Sequence, residues 1–329
     1  MAGPVKLVIG ASGFLGSHVT RQLVQRGQRV RVLLRRTSST VAIDDLDVER
    51  QYGDVFDDVA LRVAMTDCDV VYYCVVDTRA WLRDPAPLFR TNVEGLRHVL
   101  DAAVAADLRR FIFTSTIGTI ALSENGRPVT EDEPFNWADK GGGYIRSRVA
   151  AEQLVFQYVQ ERGLPAVALC VSNTYGPGDF QPTPHGSVLA AAAKGKMPVY
   201  FKGMSMEVVG IEDAARALIL ADEKGRIGER YIISERFITA RELYATAAEA
   251  GGTRRPRVGI PLNIMYALGF GGDIAATVLR RDMLLSTQSV RLMHIMSPMD
   301  HGKAERELGW HPEPIHDSIR RAVAFYRAH

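Results

Sequence analysis

The chain predicts an α/β fold: a doubly wound parallel sheet, Rossmann-like in its strand–helix alternation, followed by a smaller C-terminal substrate-binding domain. Three observations lead there. The apolar run Val5–Ile9 enters a turn punctuated by Gly10, Gly13 and Gly16, and that turn opens into an amphipathic pattern at Val19, Leu23 and Val24. Apolar strand-like runs then alternate with helical patterns as far as residue 178, as expected of strands covered by helices on both faces. The runs at 69–76 and 110–116 show no polar alternation, the habit of strands buried on both sides.

Composition bounds the reading. Of 329 residues, 47% are hydrophobic and 24% charged, with a net charge of +2, the balance of an ordinary globular protein. Mixed charge along the chain points to neither nucleic acid nor an anionic membrane as a partner. Cys68, Cys74 and Cys170 are scattered, with no C-x-x-C pair, and are expected as reduced thiols. The chain shows no secretory leader pattern and no run of about 18 apolar residues, so a cytoplasmic protein without a membrane span is expected.

In order, the glycine turn leads to a helix that Gly27 ends, then to a strand over 28–34. A short strand precedes Gly53-Asp54, a helix runs over 59–65, and the strand over 69–76 follows. An irregular stretch with two prolines, 77–87, leads to a helix over 88–106 and to the strand over 110–116, which ends in three hydroxyls. A polar loop over 123–143 precedes a helix over 144–162 that Gly163 caps, then a strand over 166–171. Beyond Gly178 the alternation breaks. Helices are expected over 187–194, 214–223, 239–250 and 317–327, with strands over 208–213 and 231–233. Residues 1–178 are read as the nucleotide domain, with 205–235 returning to it, and 179–329 as the cap.

The turn fits a dinucleotide pyrophosphate. Glycines let the backbone turn and approach a ligand closely, and the amides and dipole of the following helix face it. The end of the second strand, where an acidic residue would bind a ribose 2′-hydroxyl, carries Arg35 and Arg36 instead, a pair suited to a 2′-phosphate. NADP(H) is therefore expected in preference to NAD(H). Candidate cofactor contacts are Gly10, Ser12, Gly13, Phe14, Leu15, Gly16, Arg35, Arg36, Asp54 against adenine, Val55, Val75, Val76, Thr114, Tyr144, Arg148, Val171 and Asn173.

Tyr144 and Arg148 stand at i and i+4, so a phenol and a cation share one helical face. A phenol titrates near about 10 and must fall by roughly three pKa units, about 4 kcal/mol, to exchange protons near neutrality. A neighbouring cation supplies part of that, and an oxidised nicotinamide more. Thr114, Ser115 and Thr116 end a strand aimed at the same place. Thr78, Trp81, Thr116, Asn173, Phe180 and His185 are candidate substrate contacts. The prolines between His311 and His316 break the helical spacing of a zinc site, so no metal is expected.

The chain resembles the extended short-chain dehydrogenases/reductases of the epimerase/dehydratase superfamily. The resemblance rests on residues 10–16, Gly53-Asp54, 92–95, 113–116, Tyr144 with Arg148, 173–177 and 210–213. Within that group it is most similar to dihydroflavonol-reductase-like proteins and hopanoid-associated sugar epimerases, through 79–82, 181–186 and 303–309. The resemblance implies a Rossmann-like core, a nicotinamide cofactor and a Ser/Thr–Tyr–Lys triad, with Thr116 and Tyr144 at the first two places, 28 positions apart. Arg148 stands where that group has Lys, and Val171 where many members have Pro. Arginine keeps the charge but, with a pKa above about 12, passes no proton onward. The resemblance also implies a homodimer paired through helices 92–106 and 144–162. The function expected is an NADP(H)-dependent oxidoreductase acting on a hydrophobic carbonyl or alcohol. The alternatives are an epimerase or dehydratase that recycles its cofactor, and a degenerate NADP(H)-binding sensor or scaffold.

Overall fold

A computed structural model describes residues 3–329. β1 (Val5–Ile9), α1 (Phe14–Gln25), β2 (Arg29–Leu34), β3 (Glu49–Tyr52), α2 (Asp58–Met65) and β4 (Cys68–Tyr73) open the chain. α3 (Ala86–Phe89) passes through one π-helical stretch, Arg90–Gly95, into α4 (Leu96–Ala105) and β5 (Arg110–Thr116). α5 (Ala138–Arg162), β6 (Ala166–Val171), β7 (Asn173–Tyr175), α6 (Pro184–Ala193), β8 (Val199–Phe201), β9 (Ser205–Gly210) and α7 (Ile211–Lys224) follow. The last elements are β10 (Arg230–Ile233), β11 (Arg236–Thr239), α8 (Ala240–Ala250), β12 (Val258–Ile260), α9 (Leu262–Leu279), α10 (Thr287–Leu292), α11 (Gly302–Leu308) and α12 (Ile315–Ala328).

Seven strands form one parallel sheet in the order β10-β6-β5-β4-β1-β2-β3. The strand order reverses between β1 and β4, and a doubly wound sheet holds its ligand in the crevice at that point. Alternate residues serve two cores. Leu7, Ile9, Val71, Tyr73, Phe111 and Phe113 pack with α2, α4 and α5, while Val8, Val32, Tyr72, Ile112 and Leu169 pack with α1 and α7. Burial on both faces is why these strands read as unbroken apolar runs. A smaller sheet, β11-β9-β7, packs with α6, α8 and α12 around Leu189, Val208, Leu243 and Val323.

Several boundaries differ from expectation. β4 ends at Tyr73 because its neighbour β1 ends at Ile9 and turns away, leaving Val75 and Val76 in the loop beyond. The helix expected over 88–106 is interrupted by the π-helical turn, which places Asn92 fully inside the protein. α5 starts at Ala138, but Gly142, at φ +66, breaks it two residues before Tyr144. β9 ends at Gly210, so Glu212 and Asp213 sit in the first turn of α7, where acidic residues suit the helix dipole. α9, Leu262–Leu279, is 18 residues with a mean hydropathy of 1.4, which by length and composition alone would be enough to cross a membrane, although Asn263, Asp273 and its glycines interrupt the apolar run.

Candidate active site

The crevice is built first from backbone. Gly10 follows β1 at φ +93, and a Cβ there would lie 2.9 Å from the Cys74 carbonyl carbon. At Gly16 a Cβ would lie 2.2 Å from the Gly10 oxygen, so α1 rests directly on the turn. Gly13 precedes α1 without any side-chain cap, and no acidic residue occupies its first turn. The Gly13 amide closes the turn by donating to the Gly10 carbonyl at 3.0 Å, which leaves the amides of Ser12, Phe14 and Leu15 as the anion cradle. Beyond β2 lies a cleft of about 390 Å³ lined by Arg35, Arg36, Thr37, Tyr52, Gly53, Asp54 and Asp57. The Arg36 guanidinium stands 5.4 Å from the Tyr52 ring centroid. The Asp54 carboxylate accepts the Phe56 amide at 3.2 Å, which fixes the turn that carries Val55.

At the carboxyl end of β5 the three hydroxyls separate. Strand alternation turns Ser115 away, where it donates to buried Glu152, while Thr114 donates to the Cys74 sulfur at 3.4 Å. Thr116 alone is presented to Tyr144; its oxygen accepts the Gly118 amide at 3.1 Å. Of the three hydroxyls that end the strand, Thr116 is therefore the one placed to meet a substrate oxygen.

Arg148 is 1% exposed. One of its nitrogens donates to the Thr114 carbonyl at 2.6 Å, and its guanidinium lies 5.2 Å from the Phe113 ring centroid. Among the described residues its Nε and Nη1, both buried, have no hydrogen-bond partner. A buried cation with two idle donors is costly unless something else occupies the site, and vicinal hydroxyls of a ribose suit that fork. Residues and group therefore fit.

Burial pushes the Tyr144 phenol above its ordinary pKa; Arg148 and the facing Thr116 hydroxyl pull the other way, and Asp77 adds to the rise. The net direction is upward: among the protein's own groups burial outweighs the cation, which supplies only part of the shift that ionisation would need. Tyr144 is nonetheless only partly buried, as befits a group at a cleft mouth.

Residues not foreseen as site residues hold this geometry. Asn92 accepts the Asp77 amide at 2.8 Å, donates to the Asp77 carbonyl at 3.1 Å and donates to the Ser147 hydroxyl at 3.0 Å. Ser147 in turn donates to the Tyr144 carbonyl at 2.7 Å. Glu152, one turn beyond Arg148 on the inner face of α5, also accepts Thr119 at 2.8 Å and Arg230 at 3.1 Å. A carboxylate set among Ala151, Leu154 and Val155 was its signal in the sequence.

The remaining candidates divide. Val171 is buried at the end of β6, and the Asn173 amide is tied to the Glu207 carbonyl at 2.9 Å. Thr78 is exposed and Trp81 partly buried in the loop 77–87. His185, in the first turn of α6, is exposed, although surrounding protein lowers its pKa. Phe180 is not brought to Tyr144. It packs edge-on against Phe325 at 5.0 Å and lines a separate cavity of about 580 Å³ with His18, Arg21 and Pro177, because Gly178 turns the chain outward at φ +85.

Comparison with known proteins agrees with this architecture. The chain is 30% identical over 324 residues, 98% of each protein, to sterol demethylase protein B of Methylococcus capsulatus. It is 28% identical over 273 residues to dihydroflavonol 4-reductase of Zea mays, covering 78% of this chain and 75% of that one. The crystal structure of gox2253 superposes with a TM-score of 0.88 at 31% identity, covering 99% of both chains. Residues 6–234 match the family described as the NAD dependent epimerase/dehydratase family. With its seven-stranded sheet, glycine cradle and paired tyrosine and cation, the chain belongs to that family of NAD(P)-dependent oxidoreductases.

Proposed function

We propose that this protein is an NADP(H)-dependent reductase of a hydrophobic carbonyl compound, with Tyr144 as the proton donor. The observation that carries the reading is the buried Arg148 fork, idle at two nitrogens, one helical turn from a phenol that the protein keeps protonated. The turn from Gly10 to Gly16 would hold the pyrophosphate, Arg35 and Arg36 the 2′-phosphate, Asp54 the adenine and Arg148 the nicotinamide ribose. When bound, the reduced dinucleotide supplies hydride chemistry.

The chain's own residues do the rest. Thr116 orients the substrate oxygen, and Tyr144 gives that oxygen its proton as negative charge develops there. A reduced nicotinamide is neutral and does not pull the phenol toward ionisation, so a raised pKa suits reduction more than oxidation. Arg148 stays charged throughout and passes no proton on; Tyr144, open to the cleft, is reprotonated from solvent. Trp81 and the Met-rich segment 283–299 support an apolar substrate, as does the sterol in one relative's name. A homodimer through α4 and α5, and a cytoplasmic setting suited to three free thiols, belong to the same reading.

The test is NADPH consumption against a panel of apolar ketones and aldehydes. Loss of NADPH matching alcohol formed one to one is expected, and Tyr144→Phe should cut turnover about 10²- to 10⁴-fold without lowering thermal stability. Product formed with no net NADPH loss would instead establish a recycled cofactor and an epimerase or dehydratase.

A further inference from the structure

α9 is apolar on the side it shows to solvent. Of its 18 residues 17% are buried; Met265, Gly269 and Ala276 face inward. Ile264, Leu268, Ile274 and Val278 form one exposed stripe at helical spacing, flanked by Phe270, which is 63% exposed. A helix of this length is about 27 Å long, and a continuous apolar face of that extent marks a binding surface.

The helix lies along the body of the protein rather than projecting from it. A Cβ on Gly272 would lie 2.0 Å from the Leu285 carbonyl oxygen, and one on Gly269 would lie 3.0 Å from the Ser286 backbone. Asp273, its one charged residue, is turned inward and accepts the Thr287 hydroxyl at 2.5 Å and the Thr287 amide at 3.2 Å. Near its C-terminal end, the Ala276 carbonyl accepts Arg83 at 2.9 Å. A helix fastened to one globule along its length cannot place its ends on opposite sides of a bilayer.

Charge is what selects the occupant. Exposed Arg254, Arg255 and Arg257 precede β12 and α9, and exposed Arg280 and Arg281 follow directly. Only Arg255 among these five has a carboxylate partner within the described residues, Glu249. An apolar helix face with arginines at both ends complements a surface that is apolar inside and anionic at its rim.

We propose that α9 is an in-plane membrane anchor, seating its Ile264–Val278 stripe at the boundary of headgroups and acyl chains of an anionic bilayer, with the flanking arginines on the headgroups. This goes beyond the proposed reaction and does not depend on it.

Flotation of the full-length protein with phosphatidylglycerol/phosphatidylcholine vesicles, and with phosphatidylcholine alone, tests it. Wild type is expected to float with the anionic vesicles and to be released by salt. Leu268→Ser/Ile274→Ser/Val278→Ser should weaken partition at least about tenfold, with unchanged circular dichroism. Arg254→Gln/Arg257→Gln/Arg280→Gln/Arg281→Gln should remove the preference for anionic lipid. Wild type that stays in solution, or a serine variant that floats equally well, would overturn the proposal. So would a serine variant that dissociates an oligomer while neither protein binds vesicles, since the face would then be an interface between copies.

Discussion

Arg148 is where the chain departs from the Lys of the group it resembles, and the structure shows what that exchange keeps. The fork is fixed at one nitrogen by Thr114 and stacked on Phe113, leaving two donors free in a dry site. Removing an idle buried cation relieves its desolvation cost, while removing its ligand contacts weakens binding. Arg148→Met should therefore leave the melting temperature of the cofactor-free protein unchanged or higher, yet abolish most of the rise that NADPH produces in wild type; thermal melts with and without NADPH check both. Arg148→Lys should retain that rise. Reduction should stay level through neutral pH and fall only on the alkaline side, because Tyr144 is the acid and its pKa lies above the ordinary value.

At the scale of elements, β1, the glycine turn and α1 were legible because strand period, turn chemistry and helix period change within a few residues. Gly16→Ala tests how tightly they are joined. Its Cβ would meet the Gly10 oxygen at 2.2 Å, a backbone atom with nowhere to go. The substitution should lower stability by about 1–3 kcal/mol and remove dinucleotide binding, as read by melts and titration together. Other elements were not legible. β7, β8, β11 and β12 are three or four residues long and owe their existence to pairing partners far away in the chain. The interruption of the helix at Asn92 follows from a buried network that spans the loop after β4 and α5, which no local pattern encodes. α9 was overlooked because glycines and one aspartate dilute its apolar run, and an average net charge conceals arginines placed at its ends.

Across the whole molecule, the seven-stranded and three-stranded sheets meet around Glu207. This buried carboxyl accepts the Ser234 hydroxyl and the Met299 amide, the latter at 2.7 Å, and burial pushes its pKa up to about 7. A carboxyl with a raised folded-state pKa makes the folded state bind more protons than the unfolded one. Stability is then full below the ordinary carboxyl range and falls as pH rises toward about 7. At about 1.4 kcal/mol per pKa unit, roughly 3 kcal/mol is lost over that window. Glu207→Gln can serve both partners without titrating, so its melting temperature should depend less on pH and exceed that of wild type at about pH 8. That the strands form one parallel sheet followed from the alternation of patterns. The placement of Phe180 away from Tyr144 did not, since it depends on how the segment after Gly178 packs against α12.

Calorimetric titration of the purified protein with NADPH and with NADH tests the central claim most directly. The account predicts one site per chain, with NADPH bound at least about tenfold more tightly, and that margin lost in Arg35→Ala/Arg36→Ala. Failure of the folded protein to bind either dinucleotide would contradict it.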